Sequence, residues 1–165
     1  MQNKETKKTE LAPKRQRGPF LYILISIVLM ALLATGFFVL KKQVTTVTYK
    51  QVMIAGKAYT LEVADTESER EKGLSERDAI ASDGGMLFDF KQEGDWRMWM
   101  LQMRFPIDMI WLKKNGTIVH IKHAAQPGDY PELYYAGASS WYVLELPSGT
   151  ANNLGLKEGD TIHIN

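Results

Sequence analysis

The chain has 165 residues, carries 20 Lys/Arg against 19 Asp/Glu, and contains no cysteine. This length is typical of one globular domain, and the lack of cysteine excludes disulfide bonds, thiol catalysis and cysteine-ligated metal. The formal net charge of +1 conceals an uneven distribution, because basic residues cluster at the N-terminus and acidic residues predominate in the rest of the chain.

The most apolar segment lies near the N-terminus, between Arg17 and Lys41. These 23 residues (18–40) contain no charged side chain, and about 20 apolar residues allow a helix to cross the hydrocarbon core of a bilayer. Residues 1–17 carry a net charge of +4, so the positive-inside rule places the N-terminus in the cytoplasm. We therefore predict a single-pass membrane protein with a basic cytoplasmic tail (1–17), a transmembrane signal anchor (18–40) and an extracytoplasmic C-terminal domain.

A cleaved secretory signal is the alternative interpretation of the same segment. The apolar region of a signal peptide is usually about 7–15 residues long and ends at a cleavage site with small residues. Ala31 and Ala34 resemble such a site, but apolar residues continue through Leu40. Cleavage there would cut within the apolar run, so an uncleaved anchor fits the pattern better.

The charge of the remaining chain bears on its partners. Residues 43–165 hold 12 basic and 17 acidic side chains, a net charge of −5. Nucleic-acid binding depends on clustered positive charge, so we predict that this region does not bind nucleic acid. The expected partners are the membrane, through residues 18–40, and a glycan or protein of the cell envelope. No cofactor is predicted.

In chain order, the rest of the sequence shows short strand-like segments separated by turns. A stalk and first strand are predicted over residues 41–57, and a β domain over residues 58–165. A short helix is predicted from Thr66 or Ser68 to about Arg77, because a capping hydroxyl there precedes acidic residues. The strand segments are rich in β-branched, aromatic and other apolar residues and cover 46–54, 59–64, 86–90, 96–100, 107–112, 117–124, 141–146 and 161–164.

This spacing of strands and turns predicts the fold class. Asn115-Gly116 is a strong hairpin signal between two of the strand segments. Seven or so short strands at such intervals are typical of an antiparallel β-sandwich or a barrel. We therefore predict a mainly β domain of that kind with one or two short helices.

Several short motifs of this domain occur in the same order as in a known family. They are Ala64-Asp65-Thr66, Glu69-Arg70, Gly73-Leu74, Gly85-Met86-Leu87-Phe88, Trp99-Met100, Phe105-Pro106-Ile107-Asp108, Tyr142-Val143-Leu144-Glu145-Leu146, Gly149-Thr150-Ala151, Leu154-Gly155-Leu156 and Gly159-Asp160. On this basis residues 58–164 resemble the DUF192 family of uncharacterised proteins (also called UPF0127). The resemblance implies a jelly-roll-like sandwich, frequent secretion or membrane anchoring, and no established activity. The family usually has Lys-Asn after the Trp-Met motif, whereas Leu101-Gln102 follow it here, so a role that depends on that lysine does not transfer.

Asp108 is the most informative single residue, because it interrupts the apolar run 105–112. On a strand it would share a face with Ile110 and Leu112. A buried carboxylate without partners costs several kcal/mol, so Arg97, Arg104, His120 or backbone N–H groups should satisfy it. The side chain is then either a polar clamp within the sheet or a catalytic acid or base with a raised pKa.

A second candidate site is the loop 128–135. Tyr130, Tyr134 and Tyr135 lie there among glycine, proline and acidic residues. A loop of this composition is expected at the surface, where its rings could stack on sugars or contact a protein partner. The alternative is that the loop folds back to cover the domain.

The metal-binding candidates are weaker. Trp96, Met98, Trp99, Met100 and Met103 lie within eight residues, and thioethers suit Cu(I), but methionine also fills apolar cores. The histidines at positions 120 and 123 would point to opposite faces of a strand. We therefore expect this Met/Trp segment to pack in the core and predict no metal site.

The sequence thus predicts a membrane-anchored extracytoplasmic β domain that serves as a binding or envelope-interaction module. An enzyme that acts on envelope polymers, with Asp108 as acid or base, is the alternative. A copper-handling domain built on Met98 and Met100 is a minor alternative.

Overall fold

The computed structural model describes residues 18–40 and 46–164, with side chains described at 18–33 and 46–164. The chain divides into two units after Thr45. In the first unit, helix α1 spans Pro19–Leu40, and proline suits a first helical position because it has no backbone N–H to leave unpaired. No helix within the described residues is both long and apolar enough to be identified as a membrane span. The anchor at 18–40 therefore stays a prediction, and the tail at 1–17 lies outside the described residues.

The second unit is a β domain with a single six-stranded sheet in the order β1-β2-β3-β6-β4-β5. Its elements are β1 (Thr48–Ile54), β2 (Lys57–Ala64), α2 (Glu67–Lys72), β3 (Gly84–Gly94), β4 (Ile107–Leu112), β5 (Ile118–Ala125), a 3₁₀ turn (Pro127–Asp129), β6 (Ser140–Pro147) and α3 (Thr150–Asn153). The prediction of a mainly β domain with few short helices is confirmed.

The finer prediction of an antiparallel sandwich or barrel is wrong in one respect, because the sheet is mixed. β2 and β3 are parallel, while the other neighbouring pairs are antiparallel. Parallel neighbours need a crossover connection, and residues 65–83, which include α2, provide it. The sequence indicated the helix. It did not indicate that this connection returns the chain to the end of the sheet at which β2 begins, so that β3 runs parallel to β2.

Two apolar cores lie on the two faces of the sheet. β4 is buried along its whole length, since its alternate residues contribute to different cores. Ile110 and Leu112 belong to the first core, and Met109 and Trp111 to the second. A strand that is buried on both faces reads as a continuous apolar run, which is why the one charged residue of β4 stands out.

Two of the predicted strands are not strands of the sheet. Within 96–100, only Met98 forms a bridge, with Tyr134, and within 161–164 only Thr161 does, with Thr117. The segment 96–103 instead packs over the second core, where Met98 and Met100 are buried. Its alternation of apolar residues reflects this packing and not a place in the sheet.

Candidate functional site

Asp108 is fully buried, and backbone groups satisfy both of its carboxylate oxygens. Oδ1 accepts a hydrogen bond from the N–H of Ala124 at 2.9 Å, and Oδ2 accepts one from the N–H of Ala151 at 2.8 Å. Of the partners anticipated from the sequence, the backbone N–H groups are the ones observed.

Each of these donors lies at a point where regular hydrogen bonding is interrupted. The register of β4 with β5 shifts opposite Asp108, since Ile107 pairs with Ala125 and Met109 with Lys122. Ala124 in this bulge has a positive φ of 49°. Ala151 lies in the first turn of α3, where N–H groups have no partner within the helix. Asp108 therefore joins β4 to a bulge and to a helix start.

The tyrosines of the 128–135 loop divide into one buried and two exposed residues. The expected surface position of Tyr134 is wrong, because its side chain is only 6% exposed. Its hydroxyl donates to Asp129 Oδ2 at 2.5 Å, and its N–H and C=O both bond to Met98 at 2.8 Å. Burial, together with this hydrogen bond, raises the pKa of Tyr134 above its ordinary value. Tyr130 and Tyr135 are about half exposed and remain available to a partner.

A cavity of about 340 Å³ opens on the second face of the sheet. It is lined by apolar and aromatic side chains together with charged residues: Glu67, Arg70, Glu71, Lys72, Gly73, Leu74, Ser75, Phe88, Phe90, Gln92, Trp96, Arg97, Met98, Trp99, Met103 and Glu145. Cavities of roughly 300–1,000 Å³ that combine apolar walls with a few polar groups are typical of small-molecule sites.

One wall of the cavity is α2 and the turn that follows it. Thr66 and Glu69 form a capping box at the start of this helix, which satisfies two N–H groups of the first turn. The helix ends at Gly73, whose φ is 48°, and a Cβ there would lie 3.3 Å from the ring of Phe88. Glycine at this position therefore permits both the turn and the close approach to β3.

The opposite wall is the segment 96–103, which indole and backbone hydrogen bonds hold in place. The indole of Trp111 donates to the carbonyl of Trp96 at 2.8 Å, and the indole of Trp96 donates to that of Ser140 at 3.0 Å. The hydroxyl of Ser75 donates to the carbonyl of Leu101 at 2.8 Å, which ties this wall to the one formed by α2.

Glu145, on β6, is the only charged residue of the cavity lining that is buried, being 4% exposed. Its strand neighbours are Met86 on β3 and Met109 on β4. The part of the chain that the structure describes provides no hydrogen bond to its carboxyl group, although no fully enclosed side-chain oxygen there lacks a partner. The Glu145 oxygens must therefore reach solvent, and the cavity is the opening that this residue lines.

Burial raises the pKa of Glu145 to about 8. Loss of hydration disfavours the charged form of a carboxyl group. The two flanking methionine side chains have no hydrogen-bond donor that could replace the lost water. The Arg77 guanidinium lowers the pKa in part, but Arg77 is already paired through two hydrogen bonds with Glu62, one of them 2.7 Å long. Glu145 is thus a titratable group in a cavity, a combination that marks many functional sites.

Glu145 was missed at the sequence level, although a signal was present. It interrupts the apolar run Tyr142–Leu146 as Asp108 interrupts its own. The register pairs Glu145 with Met109 and Asp108 with Leu146, so the two acids lie on opposite faces of the sheet. The structure does not bring Asp108, the exposed tyrosines and Glu145 into one site.

The side chains of the Met/Trp segment are not all buried, although its apolar composition suggested that they would be. Met98 and Met100 are buried, as expected, but Trp99 is 41% exposed and lines the cavity. Among the described residues, no group of three or more His, Asp and Glu side chains is arranged to hold a metal ion.

The family comparison confirms the resemblance seen in the sequence motifs. The DUF192 family, described as uncharacterized ACR, matches residues 50–164. The chain belongs to this family. A comparison with curated proteins finds no match.

Two crystal structures are similar to this DUF192 domain. One, a candidate transcription regulator from Sinorhizobium meliloti 1021, is 34% identical with a TM-score of 0.65, and the match covers 72% of this chain and 96% of that one. The other, a protein of unknown function from Novosphingobium aromaticivorans DSM 12444, is 27% identical with a TM-score of 0.66, covering 74% and 89%.

Proposed function

We propose that the protein is a membrane-anchored, extracytoplasmic binding domain that takes a small molecule into the cavity above Glu145. One observation carries the proposal: a buried carboxyl group that lacks a hydrogen bond within the described residues lines an aromatic cavity. The charge-free segment 18–40 and the basic tail support the location at the membrane.

The environment of Glu145 favours a ligand-binding role over a purely structural one. An unpaired buried carboxylate costs several kcal/mol, and buried charges in proteins are normally paired. Asp108 shows the structural solution, since its two oxygens accept backbone N–H groups. Glu145 lacks that solution and keeps its proton up to about pH 8, so a ligand that hydrogen-bonds to the carboxyl group or pairs with the carboxylate would supply the partner that the free protein lacks.

An exposed surface beside the cavity supports an additional envelope partner. The antiparallel bridge between Met98 and Tyr134 brings Trp99 and Arg97 next to Leu133 and Tyr135. Arg97 lies 5.7 Å from the centre of the Tyr135 ring, and Trp99, Leu133 and Tyr135 are 40–52% exposed. Such a surface would suit a glycan or protein that extends from the cavity.

An enzyme is the second candidate function, with Glu145 and not Asp108 as the acid or base. A carboxyl group with a pKa of about 8 in a cavity can donate a proton near neutral pH, whereas both Asp108 oxygens are occupied by backbone donors. Copper handling is less well supported, because the Met98 and Met100 side chains are buried.

Nucleic acid is not proposed as a partner. The similar protein from Sinorhizobium meliloti is described as a candidate transcription regulator, but residues 43–165 of this chain carry a net charge of −5. That balance opposes the phosphate contacts on which such binding depends.

The proposal is tested with full-length protein in nanodiscs, by following the methyl NMR signal of Met98 during titration with small organic cations, neutral sugars and carboxylates. We expect saturable shifts with at least one class. A bulky Met103→Trp substitution in the cavity wall should abolish them, whereas Met53→Trp on exposed β1 should not. Conversion of a probe that depends on Glu145 would favour the enzyme, and the lack of any shift would contradict binding.

A further inference from the structure

We infer that the cavity is selective for small organic cations, such as primary or quaternary ammonium ions, with Glu145 as their counter-ion and aromatic side chains in the same cavity lining. The inference rests on the proposed binding function and specifies its ligand class.

The acidic character of the one buried ionisable group favours a cationic ligand. Glu145 is the only buried ionisable group of the cavity lining. The basic residues that line it are already engaged or lie in solvent, since Arg70 donates to the carbonyls of Asp65 and Asp89 and Arg97 and Lys72 are exposed. Once Glu145 is ionised, its carboxylate would repel an anion in this poorly hydrated space, whereas a cation would stabilise it.

The aromatic lining of the cavity also favours a cationic ligand. Phe88, Phe90, Trp96 and Trp99 line the same cavity as Glu145, and aromatic faces attract cations within about 6 Å of the ring centroid. The Phe90 ring is already engaged, because the Arg70 guanidinium lies 5.3 Å from its centre and the Trp96 ring stacks on it at 4.0 Å. Trp99, which is 41% exposed, is therefore the most accessible ring for a ligand. Aromatic rings with one carboxylate provide both elements of ammonium recognition.

The groups that face Glu145 determine how binding depends on pH. Arg77 lies close enough to lower its pKa in part, and Arg77 is paired with Glu62. The other charged groups of the cavity lining are Glu67, Arg70, Glu71, Lys72 and Arg97. Because burial holds the Glu145 proton up to about pH 8, a cation must displace that proton, and its affinity should rise with pH.

The test compares choline with its neutral carbon isostere, 3,3-dimethyl-1-butanol. Calorimetric titration uses the full-length protein in phosphatidylglycerol nanodiscs, which carry no ammonium group, with empty nanodiscs as blank. At pH 8.5 we expect choline to bind about tenfold or more tightly than the isostere, in line with a desolvated cation–π contact and an ion pair. Choline has no titratable group in this range, so its affinity should increase about tenfold or more between pH 6.5 and pH 9.

Two variants test whether the preference for choline over its isostere depends on the Glu145 carboxyl group. Glu145→Gln keeps the shape of the side chain and should reduce the preference for choline to the smaller part that the aromatic rings provide, and it should abolish the pH dependence. Glu67→Gln removes an exposed acid from the same cavity lining and should change the preference by less than about threefold, because solvent screens exposed charges.

The outcomes separate this inference from the proposed function. Equal binding of the two probes, or a preference that is undiminished in Glu145→Gln, would overturn the selectivity while leaving a binding cavity. If neither probe binds, the selectivity is overturned, and the sugar and carboxylate titrations of the Met98 signal then decide whether the cavity binds anything.

Discussion

Two carboxyl side chains are buried in the sheet, and their hydrogen bonding differs. Asp108 accepts two backbone N–H groups, whereas Glu145 has no such partner among the described residues. Both interrupt apolar strand segments in the sequence, so their roles depend on which face of the sheet each occupies. The first core encloses Asp108, and the second core contains the cavity.

The clamp role of Asp108 predicts a stability effect that depends on both acceptors. Asp108→Asn replaces one acceptor with a donor that meets a backbone N–H, and should lower the free energy of unfolding by about 1–3 kcal/mol. Asp108→Leu removes both acceptors and should cost more. Denaturant unfolding measures both effects, with the exposed Asp78→Asn as control, for which little change is expected. An Asp108→Asn variant of parental stability would argue against the clamp.

The raised pKa of Glu145 predicts that the stability of the protein depends on pH. The folded protein holds its proton up to about pH 8, whereas the ordinary pKa is 4.5. The unfolding free energy should therefore fall as the pH rises between these values, by up to about 1.4 kcal/mol per pH unit. Glu145→Gln lacks this titration and should be the more stable protein above pH 8. Denaturant unfolding at pH 5, 7 and 9 provides the comparison, and a constant difference between the two proteins would refute the raised pKa.

At the scale of elements, the 128–135 loop and the 96–103 segment support each other through one bridge. Tyr134 and Met98 exchange backbone hydrogen bonds, and both side chains are buried. Their sequence neighbours, Trp99 and Tyr135, are therefore exposed beside them. Which side chains are buried here is determined by their alternation on either side of the bridge and not by the composition of the loop.

This arrangement predicts unequal effects for two adjacent tyrosines. Tyr134→Ala removes a buried ring and should destabilise the domain by about 3–5 kcal/mol. Tyr135→Ala removes a half-exposed ring and should change stability by no more than about 0.5 kcal/mol. Thermal unfolding of the two variants is the measurement. Similar melting temperatures for both would mean that the bridge does not bury Tyr134.

At the scale of the whole molecule, the predicted topology places residues 43–165 outside the cytoplasm. Protease added to intact cells with a permeabilised outer wall should degrade this region and spare the tail at 1–17, because the basic flank is retained inside. Mass spectrometry of the fragments is the readout, with a cytoplasmic protein as control. Protection of the C-terminal domain would reverse the orientation, and a mature N-terminus near residue 36 would indicate a cleaved signal.

Much of the fold could be predicted from local patterns. The hairpin at Asn115-Gly116 and the capped start of α2 depend on interactions within a few residues, which the sequence states directly. The end of α2 was not predicted, because the sequence favours a helix to about Arg77, whereas the helix ends at Lys72, before Gly73. The parallel pairing of β2 with β3 could not be predicted in this way. It depends on the direction in which a 19-residue crossover (65–83) returns, and that direction is determined by packing.

The sequence by itself determined the family, the mainly β class and the acidic balance of the C-terminal domain, because these follow from composition, order and local propensity. Only the tertiary structure decided that Asp108 is enclosed, that Tyr134 is buried while Trp99 is exposed, and that Glu145 lines a cavity. The physical reason is that burial depends on which distant segment covers each face of the sheet. Asp108 meets backbone donors from two separate elements, whereas Glu145 lies between two methionines beneath an opening.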